Sequence, residues 1–215
     1  MEIKAAIFDL DGTLIDTEKI YQKLWPLAVK EMGYDGFTNE RYLSQRSLGR
    51  PYSVARFKEW FGEDFDYDHA RTIRKKLFDE YISQHGIQQK PGVTELMEYL
   101  HSKGIVTAIA TATDIERATE YLKLTGLYGY FDKIISATMV DEGKPSPKVY
   151  QYACSQLGFA PNECIAVEDA PNGIISAYRA GLKVIMVPDL TKPDEEIENM
   201  LYRCVDSLAD IKALV

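Results

Sequence analysis

The chain has 215 residues, 46% of them hydrophobic and 27% charged, and a formal net charge of -8. These are ordinary globular values, and the length allows one large domain or a domain with a smaller companion. The acidic balance, with no basic run to track a phosphate backbone, argues against nucleic-acid binding, and no apolar stretch approaches the ~18 residues of a membrane span.

Cys154, Cys164 and Cys204 are widely spaced, with no CxxC pair, and read as reduced core or surface residues. The opening "MEIKAAIFD" enters a strand with no signal-peptide pattern, so a cytoplasmic protein is expected.

The first strand expected is Ile3 to Asp9. From Asp16 to Gln89 the pattern is helical. "TEKIYQKLWPLAVKEMG" has apolar residues at helical spacing, interrupted by Pro26 and ended by Gly33, and "PYSVARFKEWFG" and "HARTIRKKLFDEYISQHG" also stop at glycines. After "KPGV" helices and strands alternate: "VTELMEYLHSKG", "IVTAIAT", "DIERATEYLKLTG", "KIISATMV", "SPKVYQYACSQLG", "CIAVED", "PNGIISAYRAG", "KVIMVPD". The tail "VDSLADIKALV" reads as a final helix. The alternation predicts an α/β fold, a Rossmann-like doubly wound parallel sheet, with residues 16–87 inserted as an all-α cap on a core of residues 1–15 and 88–215.

Chemistry collects where predicted strands end. In "AAIFDLDGTLIDTE", Asp11-Gly12 suits a turn, but Asp9 follows Ile7-Phe8 and would be partly desolvated. Its motif holds no Lys or Arg, so a bound cation is the natural partner. Thr111, Gly143-Lys144 and Glu168-Asp169 fall at the ends of other strands, the edge where open α/β sheets bind ligands. Asp9, Glu168 and Asp169 offer the hard oxygen donors that Mg²⁺ prefers, whereas Gly12 comes too early for an EF-hand loop. Thr113 and Glu116 have capping-box spacing at a helix start, which would seat a phosphate on free N–H groups. Ser146 and Pro147 read as the N-cap and first position of the next helix, with Lys144 just upstream as a point charge for an anion.

Together these stretches resemble the haloacid dehalogenase superfamily of aspartate-nucleophile phosphotransferases. "DLDGT" resembles its first motif, Thr111 its second, Lys144 its third and "VEDAPNG" its fourth, in order along essentially the whole chain. The helical insertion resembles the subgroup of β-phosphoglucomutases and small sugar-phosphate phosphatases. The resemblance implies Asp9 as nucleophile carrying an aspartyl-phosphate, and Asp11 as general acid and then base. It implies Mg²⁺ on Asp9, the Asp11 carbonyl and Asp169, with Glu168 nearby. Thr111, Ala112 and Lys144 would hold the phosphoryl oxygens.

The acceptor decides between a phosphatase and a β-phosphoglucomutase-type isomerase interconverting β-glucose 1-phosphate and glucose 6-phosphate. Thr17 and Arg50 match mutase positions at the hinge and the distal phosphate, and Lys75 or Lys76 a cap lysine, but Tyr21 stands near where those mutases carry His. The expectation is a phosphatase acting on a small phosphorylated metabolite, a sugar phosphate or nucleoside monophosphate; a monomer suffices. A silent binding scaffold would be expected to lose Asp9 or Asp11, and a metal-free dehalogenase would not need Asp11 and the metal acids. Tyr21, Trp25 and Trp60 are expected in packing, Arg46 on the surface, and "RTIRKK" on an exposed helix face.

Overall fold

In the computed structural model, which describes residues 2–215, the apolar run after Lys4 forms strand β1, Ala5–Phe8. Four helices follow: α1 (Glu18–Glu31), α2 (Asn39–Gln45), α3 (Arg50–Phe61) and α4 (Tyr67–His85). The alternation then runs α5 (Val93–Ser102), β2 (Val106–Thr111), α6 (Ile115–Leu124), β3 (Lys133–Ser136), α7 (Lys148–Leu157), β4 (Cys164–Glu168), α8 (Pro171–Arg179), β5 (Lys183–Met186), α9 (Glu195–Glu198) and β6 (Arg203–Cys204).

All paired strands are parallel, in the order β3-β2-β1-β4-β5-β6, which is the doubly wound α/β arrangement expected. β1 lies between β2 and β4, with Phe8 opposite both Ile109 and Val167. This register sets the ends of three strands side by side. Because successive strand residues point to opposite faces, Ala5 and Ile7 join a core with Val149, Ala153, Ile174 and Ala177 of α7 and α8. Ala6 and Phe8 join the other, with Leu96 and Leu100 of α5 and Leu122 of α6.

The four inserted helices extend this second core with a cluster of aromatic rings. Trp25 and Tyr67 each lie 5.0 Å from the Phe57 ring, and Phe65 lies 5.4 Å from it. Trp60 packs on Phe57 at 5.3 Å, as expected. The chain leaves for these helices and returns through adjacent segments. Asp16 N–H donates to the Gln88 carbonyl (2.9 Å), and Lys90 N–H to that of Leu14 (2.8 Å).

Several local expectations change. Pro26 does not interrupt α1, because Ile20, Tyr21, Leu24, Trp25, Ala28 and Val29 bury one continuous face. β1 pairs only over Ala5–Phe8, and β3 stops at Ser136, whose hydroxyl accepts from Thr138 N–H and turns the chain into a 3₁₀ turn. β6 is an additional short strand, and the final helix expected in the tail is a 3₁₀ helix, Leu208–Ala213, with Leu208 and Ile211 buried. α7 begins at Lys148, with Pro147 rather than Ser146 in the N-cap position.

Candidate active site

Asp9 closes β1: its N–H donates to the Val167 carbonyl (2.9 Å), and its side chain is almost wholly buried beside the end of β4. Lys144 Nζ donates to Asp9 Oδ1 at 2.5 Å and to Glu168 Oε1 at 2.6 Å. Glu168 Oε1 also accepts from the Tyr150 hydroxyl at 2.5 Å. Asp9 therefore does have a lysine partner, delivered from 135 positions further along the chain. Burial opposes the charge on Lys144, yet the carboxylates of Asp9 and Glu168 outweigh it and raise its pKa above the ordinary lysine value.

Asp11 is held differently. Thr17 Oγ1 donates to its Oδ1 and Thr113 Oγ1 to its Oδ2, each at 2.6 Å. Burial, and then the neighbouring Asp9, raise the Asp11 carboxyl above its ordinary value despite these bonds. One acid is thus clamped to a cation while the other is disposed to carry a proton. The Thr113 hydroxyl serves Asp11, so it is not the cap of α6: Asp114 stands in the N-cap position and makes no side-chain bond there. Thr17 likewise leaves the start of α1 uncapped.

Asp9, Glu168 and Asp169 place carboxylate oxygens within 4.8 Å of one another, the one such metal-competent cluster among the described residues. Glu168 Oε2 is buried with no hydrogen-bond partner. Burial raises the Glu168 and Asp169 carboxyls above their ordinary range, against the pull of Lys144 and Arg46 respectively. An all-oxygen set with more acid than its buried cations neutralise, and one idle carboxylate oxygen, fits a hard divalent cation. The Asp11 side chain is not part of this set. Two glycines make room for it: a Cβ on Gly12, where φ is +84°, would overlap the Asp169 carboxylate, and one on Gly173 would overlap that of Glu168.

Arg46 departs most from expectation. It is fully buried: its Nε donates to Glu18 Oε2 at 2.9 Å and its other end pairs with Asp169. Tyr42 also donates to Glu18, and Asn172 Nδ2 donates to the Arg46 carbonyl at 2.8 Å. Nothing in the local sequence signals this pairing, because its partners lie at positions 18 and 169.

A cavity of about 90 Å³ opens above the two acids, bordered by Asp9, Asp11, Thr111, Ala112 and Thr113 at and just beyond the ends of β1 and β2. From the inserted helices come Tyr21, Trp25, Arg46, Arg71 and Arg74. Tyr21 and Trp25 are therefore packing residues that also face the cavity. Tyr21 is bonded to the Tyr121 hydroxyl at 3.0 Å, and burial, then Tyr121, push its phenol well above its ordinary value. Arg71 and Arg74 correct the reading of "RTIRKK" as wholly exposed, since the helical turn brings them inward. Lys76 is exposed and does not border the cavity. Arg50 is exposed too, pairs with Asp68 and lies outside this cavity.

The family model for haloacid dehalogenase-like hydrolases matches residues 3–181. Protein CbbY of Rhodobacter capsulatus is 33% identical over 206 residues, covering 91% of this chain and 90% of that protein. Hexitol phosphatase A of Escherichia coli is 30% identical over 204 residues, with 94% and 92% covered. The crystal structure of CbbY from Rhodobacter sphaeroides in complex with phosphate superposes with a TM-score of 0.82 at 28% identity, covering 97% of this chain and 96% of that one. The acids at the ends of β1 and β4, the lysine between them and a match along most of the chain have one common reading: this protein belongs to the haloacid dehalogenase-like hydrolases and is an enzyme of that family.

Proposed function

We propose that the enzyme is a Mg²⁺-dependent phosphatase that hydrolyses a small phosphate monoester, a sugar phosphate or nucleoside monophosphate, through an aspartyl-phosphate on Asp9. The observation that carries this reading is the division of labour at the cavity floor. Asp9 accepts a hydrogen bond from the Lys144 ammonium, and Asp11 is oriented by two threonine hydroxyls and inclined to hold a proton.

An Asp9 oxygen attacks phosphorus as the ester P–O bond breaks, and Asp11 gives its proton to the departing alcohol oxygen. Water then attacks the phosphorus, Asp11 takes back a proton, and the acyl-phosphate P–O bond breaks to free Asp9 and inorganic phosphate. Lys144, Thr111 and the main chain at Ala112 hold the phosphoryl oxygens. Asp9, Glu168, Asp169 and the Asp11 carbonyl would hold Mg²⁺, which when bound offsets repulsion between Asp9 and the phosphoryl group. Residues 16–87 act as a cap over a core of residues 1–15 and 88–215, excluding bulk water from the site. The hexitol phosphatase among its relatives supports a phosphorylated carbohydrate as substrate.

A ³¹P NMR time course with Mg²⁺ tests this, using sugar phosphates and nucleoside monophosphates with β-glucose 1-phosphate and trace glucose 1,6-bisphosphate. Growth of inorganic phosphate, abolished in Asp9→Asn, is the expected result. Conversion of glucose 1-phosphate to glucose 6-phosphate with little free phosphate would replace this reading with a mutase.

A further inference from the structure

Tyr150 is the buried phenol at the acidic cluster to which the mechanism gives no task. It lies in the first turn of α7 and is wholly buried, as are Lys144 and Glu168. Its hydroxyl donates to Glu168 Oε1 at 2.5 Å, the same oxygen that accepts from Lys144 Nζ at 2.6 Å. Lys144 Nζ also lies 5.3 Å from the centre of the Tyr150 ring. The ring therefore faces the ammonium while the hydroxyl holds the carboxylate.

Packing alone does not call for that hydroxyl. A phenylalanine ring would fill the same space and bring no polar group to satisfy. The oxygen it meets belongs to a residue of the one metal-competent cluster among the described residues. Two donors converge on Oε1, whereas Oε2 is buried with no hydrogen-bond partner. A carboxylate held by two donors at one oxygen resists turning to exchange its oxygens. Gly173 closes the seat on another side, where a Cβ would overlap the carboxylate.

Lys144 cannot fix Oε1 by itself, because it also donates to Asp9 at 2.5 Å and serves the phosphoryl oxygens. A neutral phenol differs from an ammonium in a second way. It orients the acid without neutralising it, so the negative charge stays available to a cation. Carboxylates that ligate metals are commonly held by such outer partners.

We propose that Tyr150 is a positioning residue of the metal site: its hydroxyl anchors Glu168 Oε1 and so presents Oε2 to a divalent cation. This rests on the Mg²⁺ reading above.

The test is binding of Mn²⁺ to the full chain without substrate, read by electron paramagnetic resonance. Thermal melts of the metal-free proteins set a temperature at which each variant is folded. Tyr150→Phe keeps the ring beside Lys144 and removes only the hydroxyl. Its Mn²⁺ Kd should rise about tenfold or more. The Mg²⁺ concentration that half-activates hydrolysis of p-nitrophenyl phosphate should rise with it, while KM for the ester at saturating Mg²⁺ stays near the wild-type value. In a Glu168→Ala background there is no carboxylate left to hold, so adding Tyr150→Phe should change the Kd by no more than about twofold.

A hydroxyl with a merely structural role would lower the Tm of the metal-free protein and leave the Mn²⁺ Kd as in wild type. That result overturns the inference and leaves the phosphatase reading standing. A further large loss of affinity in the Glu168→Ala background also overturns it, since the hydroxyl would then act by another route. If wild type binds Mn²⁺ but hydrolyses no ester, the phosphatase reading falls and the Kd comparison decides the inference alone. If wild type binds no Mn²⁺, the inference and the Mg²⁺ reading fall together.

Discussion

Lys144 Nζ and Asp9 Oδ1 lie 2.5 Å apart with both side chains almost wholly buried, although 135 residues separate them in the chain. Removing that ammonium would leave Asp9 and Glu168 facing each other without their cation. Breaking a buried pair from one side typically costs about 3–5 kcal/mol. Lys144→Met should therefore lower the Tm by at least about 6 °C. Saturating Mg²⁺ should return part of the loss, because a cation restores the charge balance. Thermal melts with and without Mg²⁺ measure both effects, and an unchanged Tm without metal would sink the claim.

Gly173 and Glu168 stand in a related dependence. The Glu168 carboxylate fills the space where a side chain on residue 173 would begin. Gly173→Ala should displace Glu168 from Lys144 and Tyr150 and cost about 1–3 kcal/mol by overpacking. Mn²⁺ affinity, read by electron paramagnetic resonance, should fall about tenfold or more, as expected when the support of a metal ligand is lost. Unaltered affinity and stability would show that Glu168 has another place to go.

The acids of the site also predict how stability responds to pH. Burial raises the carboxyls of Asp11, Glu18, Glu168 and Asp169 above their ordinary range. The unfolded chain releases these protons near pH 4, whereas the native metal-free protein keeps them to higher pH. The native state then binds more protons than the unfolded one, so on their account stability falls as pH rises above about 4 towards the folded-state values. Metal binding displaces those protons, so Mg²⁺ should raise the Tm more at about pH 8 than at about pH 5.5. The reverse order in calorimetry would count against a metal held by these groups.

Gly49 and Gly143 bring the inserted helices against the core, backbone to backbone. Gly49 N–H donates to the Lys144 carbonyl at 2.8 Å, and a Cβ on Gly49 would lie 2.8 Å from the Gly143 Cα. Gly49→Ala should force the two backbones apart, cost about 1–3 kcal/mol of stability by overpacking and raise KM about tenfold, since this contact shapes closure over substrate. A fall in kcat/KM confined to kcat would argue that the contact plays no part in capture.

The parallel sheet was legible because a β-α alternation leaves few topologies, and such sheets bind at strand ends. Asp9, Thr111, Lys144 and Glu168 could be placed at one edge for that reason, without knowing which strands were neighbours. The order with β1 between β2 and β4 then brings Asp9 beside Glu168.

Side-chain assignments that depend on packing were not legible. Thr113 has capping-box spacing with Glu116, yet its hydroxyl reaches Asp11 across the site because Asp114 starts the helix. Arg46 and Arg74 read as solvated residues in charged surroundings, but α1, α2 and α4 turn them inward. Tyr150 gives no local sign that it bonds Glu168, nor Gly173 that it yields space to it. By itself the sequence determined the element order, the edge at which the functional motifs gather and the acids offered there, since these follow from local periodicity and residue type. Which cation neutralises which acid, and which arginine faces the cavity, only the tertiary structure decided. Electrostatic pairing depends on distance in space and exclusion of water, and neither is encoded in neighbouring residues.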